Sequence, residues 1–564
     1  MIHADALLIN ARLLTMSGRA ASSLAILGDR IIAVGDDRDV LSLRGPRTRI
    51  HDLGGRLAMP GFTDSHLHLA ALARRFLHVD LTGVPSLAKA LRKVGARARA
   101  TPKGAWITGA GFDKNVWGDQ FPTRHDLDRA APDHPVALRS RDGHSVWVNS
   151  LALKVCGVTS RTKAPPGGVI RRDANGQPTG ILHEAAVGLV RASPAFQQPQ
   201  VGVRELRKAL RFLLRQGITS AHVMGEAETF PLAQELRQRG ELDLRLTCYR
   251  GVDALDDLIA AGIRSGFGDE WIRIGGIKLL VDGALGSQTA WMFRPYRKAA
   301  GGAGSQPADP CGVPVLYGKE LRSIIRRATQ AGLACAIHAI GDRANAEALE
   351  AIEEVEGKAA GPSASLRVNV GTLRQAQGKP PTIPHRIEHA QILRPKDIPR
   401  FARLGVIASM QPCHILGDIL PAERYWGRRS RWAYPIASLA RAGVTIAFGS
   451  DAPVETSDPI EGIYAAVERR MLNGEPTGGW YRAEEGIGVM QALRGYTYGP
   501  AAATGEAGCK GKLAPGFLAD MVVLSDDITR RRGRELLQAE VDMVFVGGRL
   551  RHRRVELHTQ AAGG

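Results

Sequence analysis

The sequence predicts an α/β protein: a (β/α)8 TIM barrel, a small β-sandwich built from the N- and C-terminal segments, and an insertion after the first barrel strand. Three observations carry this expectation. Eight short apolar segments, separated by helical patterns, recur between Leu57 and Asp451, the rhythm of parallel βα units. Both ends of the chain share another texture, short strands broken by Gly and Asp turns. Between about residues 72 and 190 the βα rhythm breaks and Gly/Pro turn clusters take over. A chain of 564 residues is too long for one small core and long enough for a barrel plus a second domain.

The N-terminal segment, residues 1–57, reads as short strands: Ala6–Ile9, Ser23–Ile26, Arg30–Val34 and Arg49–Leu53. The barrel is expected over residues 58–500. Its first strand is the apolar run from Leu57 that ends in His66-Leu67-His68. Side chains alternate along a strand, so Asp64, His66 and His68 share one face. Two imidazoles on one face can bind one metal ion, and neutral imidazole is the commonest metal ligand. A lone His-x-His is more often a pair of surface histidines. The apolar lead-in, the Pro60-Gly61 turn and the inward Asp64 argue against that here.

The inserted segment, about 72–190, contains Gly111-Phe112-Asp113, Asp142-Gly143-His144 and Pro165-Pro166-Gly167-Gly168. Strands then return at Ile218–Val223, Leu244–Tyr249, Ile274–Leu280, Ala334–Ala339, His385–His389, Val406–Met410 and Val444–Asp451. With the His-x-His strand they make eight, the number that closes a TIM barrel. Two polar stretches interrupt them. A Gly-rich loop covers 299–310, and residues 357–384 are Gly/Pro-rich and too long for an ordinary connection; the latter are expected to be a surface loop with little order. Residues 501–564 repeat the strand texture at Ala519–Leu524 and Val541–Val546 and complete the sandwich.

Polar residues at the C-terminal ends of barrel strands face the active-site end. Lys278, His338, His389 and Asp451 close the fourth, fifth, sixth and eighth strands. Singly, each has a bland reading: a satisfied core histidine, a snorkelling lysine, a helix N-cap before Ala452-Pro453. At matching ends of successive units the bland readings become improbable together.

Composition narrows the class. Hydrophobic residues are 44% and charged residues 23%, ordinary for a globular protein. No apolar run reaches spanning length, and no basic-then-apolar leader opens the chain, so neither membrane insertion nor secretion is expected. Six scattered cysteines without a CxxC point to a reducing, cytoplasmic setting rather than a disulfide framework. The net charge of +19 could serve nucleic acid. Aromatics are only 5% and no aromatic-rich basic stripe accompanies the arginines, so a solvated surface is the first reading.

The residues also carry a resemblance. Met59–His68, Asp142–Ser150, Lys278–Ser287, His338–Asn345, His385–His389, Gly449–Val454 and Leu513–Asp520 resemble, in that order, the amidohydrolase superfamily of metal-dependent hydrolases, in the branch of N-substituted formamide deformylase. The resemblance implies His66 and His68 on one metal, His338 and His389 on a second, Lys278 as a carboxylated bridge, and Asp451 as both ligand and proton-transfer group. The metal would be divalent, zinc first, with one or two ions per chain. Residues at the second strand depart from the branch's pattern around His222; His222 and His144 are tentative substrate contacts.

The expected function is hydrolysis of a non-peptide C–N bond of a small molecule, an N-formyl or N-acyl amine or a cyclic amide, by metal-activated hydroxide with Asp451 as general base and acid. An esterase or deaminase on the same scaffold, or a non-catalytic regulatory relative, are the alternatives. A homodimer is left open.

Overall fold

The computed structural model describes residues 3–554 except 19, 82, 113–116, 118–120, 141–144, 166–167, 197–199, 287, 298–309 and 360–382. Residues 360–382 of the polar stretch expected at 357–384, most of the loop at 299–310, and His144 lie outside the described residues, while 357–359, expected in that loop, end the helix Asp342–Ala359. The chain divides into two compact units, one formed by Met1–Leu69 with Leu210–Gly564 and the other by Ala70–Ala209.

In the first unit, eight parallel strands lie side by side in sequence order: β1 (Phe62–Leu67), β2 (Ile218–Met224), β3 (Arg245–Gly251), β4 (Ile272–Leu280), β5 (Ala334–Ala339), β6 (Arg386–His389), β7 (Ile407–Met410) and β8 (Ile446–Phe448). Helices such as Thr229–Gln238, Gly318–Gln330 and Ile398–Leu404 fall between successive strands. The barrel closes where the amides of Ser450 and Asp451, just past β8, donate to the His66 carbonyl on β1 at 3.3 and 2.6 Å. Gly449 permits that approach: a Cβ there would meet the His66 nitrogen at 2.4 Å and Asp64 Oδ1 at 2.9 Å.

The two ends of the chain build the sandwich. A four-stranded sheet takes Ala6–Ile9, Ser23–Leu27, Arg30–Gly35 and Arg49–Asp52. A six-stranded sheet joins Arg12–Leu14, Ala20–Ala21 and Leu57–Pro60 to Met521–Leu524, Val541–Val546 and Arg549–Arg553. Leu8, Leu24, Ile26, Met521, Val523 and Phe545 share one buried cluster, so each terminal segment supplies half of a core that neither could close alone.

One expectation shifts in detail. The run from Leu57 to the histidines is two strands. Leu57–Pro60 pairs antiparallel with Met521–Leu524 in the sandwich, and Phe62–Leu67 pairs with β2 in the barrel. Gly61 is the joint, and a Cβ there would collide with the Thr219 side chain at 2.2 Å.

The second unit has its own six-stranded sheet, in the order Gly168–Arg172, Pro178–Glu184, Ser145–Val148, Val136–Ser140, Ile107–Phe112 and Val79–Asp80. One buried cluster centres on Phe112, Leu138 and Trp147, and another on Val146, Val148 and Leu182. A region read from its turn clusters as a break in rhythm is thus a folded unit, because alternate residues of Ser145–Val148 feed opposite faces of one sheet.

Candidate metal centre

β1 delivers His66 fully buried and His68 at its mouth. Asp64, two residues earlier, is also buried. Its Oδ1 accepts the amides of His66 (3.1 Å) and Ser450 (3.0 Å), and its Oδ2 the Ser450 hydroxyl (2.5 Å). Asp64 therefore staples the strand carrying the histidines to the turn carrying Asp451. Burial pushes its carboxyl up to about 7.

Asp451 is the hub. Its Oδ1 lies 3.2 Å from His68 Nε2 and 3.4 Å from His66 Nε2, and its Oδ2 lies 3.6 Å from His414 Nε2. Among the described residues, two groups have ligand atoms within 4.8 Å of one another: His66, His68 and Asp451, and His389, His414 and Asp451. Burial alone would raise the Asp451 carboxyl, but the adjoining His414, His68, His66 and His389 imidazoles hold it well below the usual range. It stays a carboxylate.

The remaining expected residues surround this hub. The His389 ring is centred 4.8 Å from that of His66 and 4.4 Å from that of His338. His338 Nε2 lies 3.1 Å from the Gly283 carbonyl and 3.6 Å from Asp282 Oδ1. Asp282 in turn accepts the amides of Trp291, Ile340 and Gly341 at 2.8–3.0 Å and so fixes the loops after β4 and β5. Lys278 is buried on β4, and its Nζ has no hydrogen-bond partner among the described residues. Burial, outweighing the pull of Glu388 and Asp451, brings its pKa down to about 8.

Two residues escaped sequence reasoning. Glu388, fully buried on β6, accepts from His66 Nδ1 at 2.5 Å and pairs with Arg386. A carboxylate only accepts, so it fixes the proton on Nδ1 and leaves the His66 Nε2 lone pair facing Asp451. His414 lies in the turn after β7. The available signal for Glu388 was its company: Arg386 and Glu388 at i and i+2 share one face of a central strand, where charge is costly unless paired. His414 had no such signal. Its strand ends at Met410, and the Pro412–His414 turn is what brings it back to the mouth.

His222, read as a tentative substrate contact, lies fully buried in the barrel interior. Its Nδ1 is 2.9 Å from Arg386 Nη1. A guanidinium can only donate, so Nδ1 accepts and the ring is neutral; burial and Arg386 both lower its pKa. Arg386 also donates to the Ser65 carbonyl at 2.7 Å and to the Ser409 hydroxyl. The chain His222–Arg386–Glu388–His66 thus runs from the barrel core up to the hub.

Backbone geometry assists. His389, Ala390 and Asp451 have φ of +74, +44 and +60°, left-handed values that cost non-glycine residues stability and concentrate at functional sites. The turn at the end of β6 lets adjacent Glu388 and His389 both serve the same centre.

The residues fit a divalent cation. His66 Nε2, His389 Nδ1, His414 Nε2 and Lys278 Nζ are all buried without a hydrogen-bond partner among the described residues, each a loss of about 1–3 kcal/mol if left so. Burial, followed by the nearby Lys278 charge, lowers His66 to about 4 and His338 to about 3, and burial with the His338 and His66 charges holds His389 well below the usual imidazole range. These imidazoles are neutral at pH 7, the form that ligates. The Glu388–His66 pair has the carboxylate–histidine arrangement that orients metal ligands.

Fold and centre together define a hydrolase that works with a divalent metal. A profile of the amidohydrolase family matches residues 49–552, and the chain belongs to that family. Protein LONG AFTER FAR-RED 3 of Arabidopsis thaliana is 32% identical to it over 97% of this chain and 91% of its own. N-substituted formamide deformylase of Arthrobacter pascens is 29% identical over 98% of each. An uncharacterized metal-dependent hydrolase from Pyrococcus furiosus superposes with a TM-score of 0.71 at 29% identity, over 93% of this chain and 100% of the other. Among the described residues no helix is long and apolar enough to cross a membrane.

Proposed function

We propose that the chain hydrolyses a non-peptide C–N bond of a small molecule, an N-formyl or N-acyl amine or a cyclic amide. The observation that carries this reading is the convergence of His66, His68, His389 and His414 on one ionised carboxylate, Asp451. The kinship with a formamide deformylase over nearly the whole chain supports the choice of bond.

His66, His68 and Asp451 would hold one cation, zinc by the nitrogen-rich donor set. His389, with His338 and His414 beside it, would hold a second. When bound, such a cation polarises a carbonyl oxygen and brings the pKa of a water from 15.7 to about 7. Asp451 accepts the proton of the attacking water and returns it to the leaving amine, which needs a carboxylate that is ionised before the reaction begins. Glu388 keeps the His66 proton on Nδ1. Arg386 keeps Glu388 ionised, and His222 receives one Arg386 N–H so that the guanidinium is satisfied inside the barrel.

Lys278 cannot act as an ammonium beside cations. Its lowered pKa makes the free amine accessible near neutrality. That amine can add to carbon dioxide, losing a proton and forming a carbamate whose two oxygens could bridge the pair of metal sites. The six scattered cysteines, with no CxxC among them, suit a reducing, cytoplasmic compartment.

The test combines metal analysis of purified protein with a panel of N-formyl and N-acyl amines, cyclic amides and simple esters. Chelation should abolish turnover, and zinc or manganese should restore it. Full activity in metal-free protein would overturn the metal reading, and turnover of esters alone would overturn the choice of bond.

A further inference from the structure

A cavity lies at the opposite end of the barrel from the metal centre. Its volume is about 660 Å³, within the range of small-ligand sites. One wall is the underside of the barrel: Arg237 and Leu242 precede β3, and Trp271 precedes β4. The other walls are two sheet edges. Arg49 begins the outermost strand of the four-stranded sheet, and Arg549 begins the outermost strand of the six-stranded sheet. Arg47 and Arg551 complete the basic lining.

The lining is unbalanced. Asp5 and Asp29 are its carboxylates, and both have partners already. Asp5 accepts the Gly28 amide at 2.7 Å, and Asp29 lies 3.7 Å from Arg30. Two of the five arginines are also paired outward, Arg237 with Asp269 at 3.0 Å and Arg551 with Asp243 at 2.7 Å. Arg47, Arg49 and Arg549 have no ion pair among the described residues. Three guanidinium groups therefore share one concavity without an ion-pair partner among the described residues, and the lining's five arginines outnumber its two carboxylates. His51, in the same lining, is pushed down by burial and then by the Arg553 and Arg49 charges, a second sign of positive potential there.

An ordinary basic surface spreads its charges so that water and salt screen them. A cavity concentrates them and focuses the field. Guanidinium is the group that binds phosphoryl oxygens bidentately, and three of them match a ligand with three or four negative charges. Size separates the occupants. The cavity accommodates a small molecule, and a nucleic-acid strand would instead need an extended basic groove with free aromatic faces. The aromatic side chain in the lining, Trp271, is already engaged by Arg245 at 4.6 Å and Arg237 at 5.3 Å from its ring centre.

We propose that this cavity binds a small polyanion bearing a di- or triphosphate group, at a site separate from the metal centre. Bound there, it would tie both sheets of the sandwich to the barrel underside.

The experiment is calorimetric titration of the full-length, metal-loaded protein with inorganic pyrophosphate, tripolyphosphate, ADP and ATP, at low and at physiological salt. The expected result is one site per chain, weakened by salt. Arg49→Ala/Arg549→Ala should lower that affinity by at least about tenfold while its unliganded melting temperature and its hydrolytic rate stay at the parent values. ATP binding much tighter than pyrophosphate would assign the site to nucleotides, and equal binding to phosphate chains alone; either supports the proposal. No binding at millimolar pyrophosphate overturns it. So does binding that the double variant leaves unchanged, which would place the anion at the metals, and so does preferential binding of single-stranded DNA with several chains per strand. If the double variant melts lower, the milder Arg49→Gln and Arg549→Gln single variants carry the same comparison.

Discussion

Glu388→Gln isolates one charge at the heart of the site. Glu388 is fully buried between the Arg386 guanidinium and His66 Nδ1. Glutamine keeps the shape, and its carbonyl oxygen can still accept from Nδ1–H, so the histidine keeps its tautomer. Only the negative charge is lost, and Arg386 is left charged inside the barrel. Breaking a buried pair in this way typically costs about 3–5 kcal/mol. Ser65, Ser409 and His222 still take Arg386 hydrogen bonds, so the lower end, about 3 kcal/mol, is expected. The second effect is on the metal. His66 becomes a weaker donor without a carboxylate behind it, and loss of such a partner typically lowers metal affinity about 10–100-fold. The two effects are read separately: thermal melting of metal-free parent and variant for the first, and competition with a chelator of known affinity for the second. A variant that melts with the parent and holds metal within twofold of it would show that Glu388 neither neutralises Arg386 nor tunes His66, and the chain of contacts from His222 upward would carry no function.

Asp451→Asn keeps an oxygen at the hub but removes the proton acceptor; turnover should fall by about 10²–10⁴ with folding intact and at least one metal retained, and near-parent rates would move the proton transfer elsewhere. Lys278→Ala should lose metal and activity together, and short carboxylic acids should partly restore both by supplying the bridging oxygens; loss that no acid repairs counts against a carbamate. Asp458 caps the helix Pro459–Glu468 by accepting the Ile460 amide at 2.9 Å, and burial raises its pKa to about 6. A raised carboxyl favours the protonated fold, so its contribution is full below the unfolded value near 3.8 and is lost as pH rises through 6. Asp458→Asn, an equally good cap, should therefore melt higher than the parent at pH 8, by an amount reflecting about 1–3 kcal/mol, keep about half of that advantage at pH 5 and lose it as pH falls below the unfolded value near 3.8; an advantage independent of pH would refute the titration.

The sequence by itself determined the barrel and the direction in which its chemistry lies. Parallel βα alternation is a local pattern, and it sends every strand's C-terminal end to one face. His66, His68, Lys278, His338, His389 and Asp451 were therefore legible as a set before any contact was known. The shared sandwich was legible for a similar reason, since strand texture at both ends of a chain that neither end can bury alone points to a common core. Tertiary structure decided the rest. Glu388 faces His66 because β6 and β1 point inward from opposite sides of a closed sheet, a relation that no spacing along the chain encodes. His414 reaches Asp451 only through the turn that follows Met410, and His389 joins Glu388 at the same centre only because its backbone takes a left-handed turn. Local periodicity reports which face a residue occupies. Register across strands, strained turns and the burial of charge decide whom it meets, and these follow from the packing of the whole barrel.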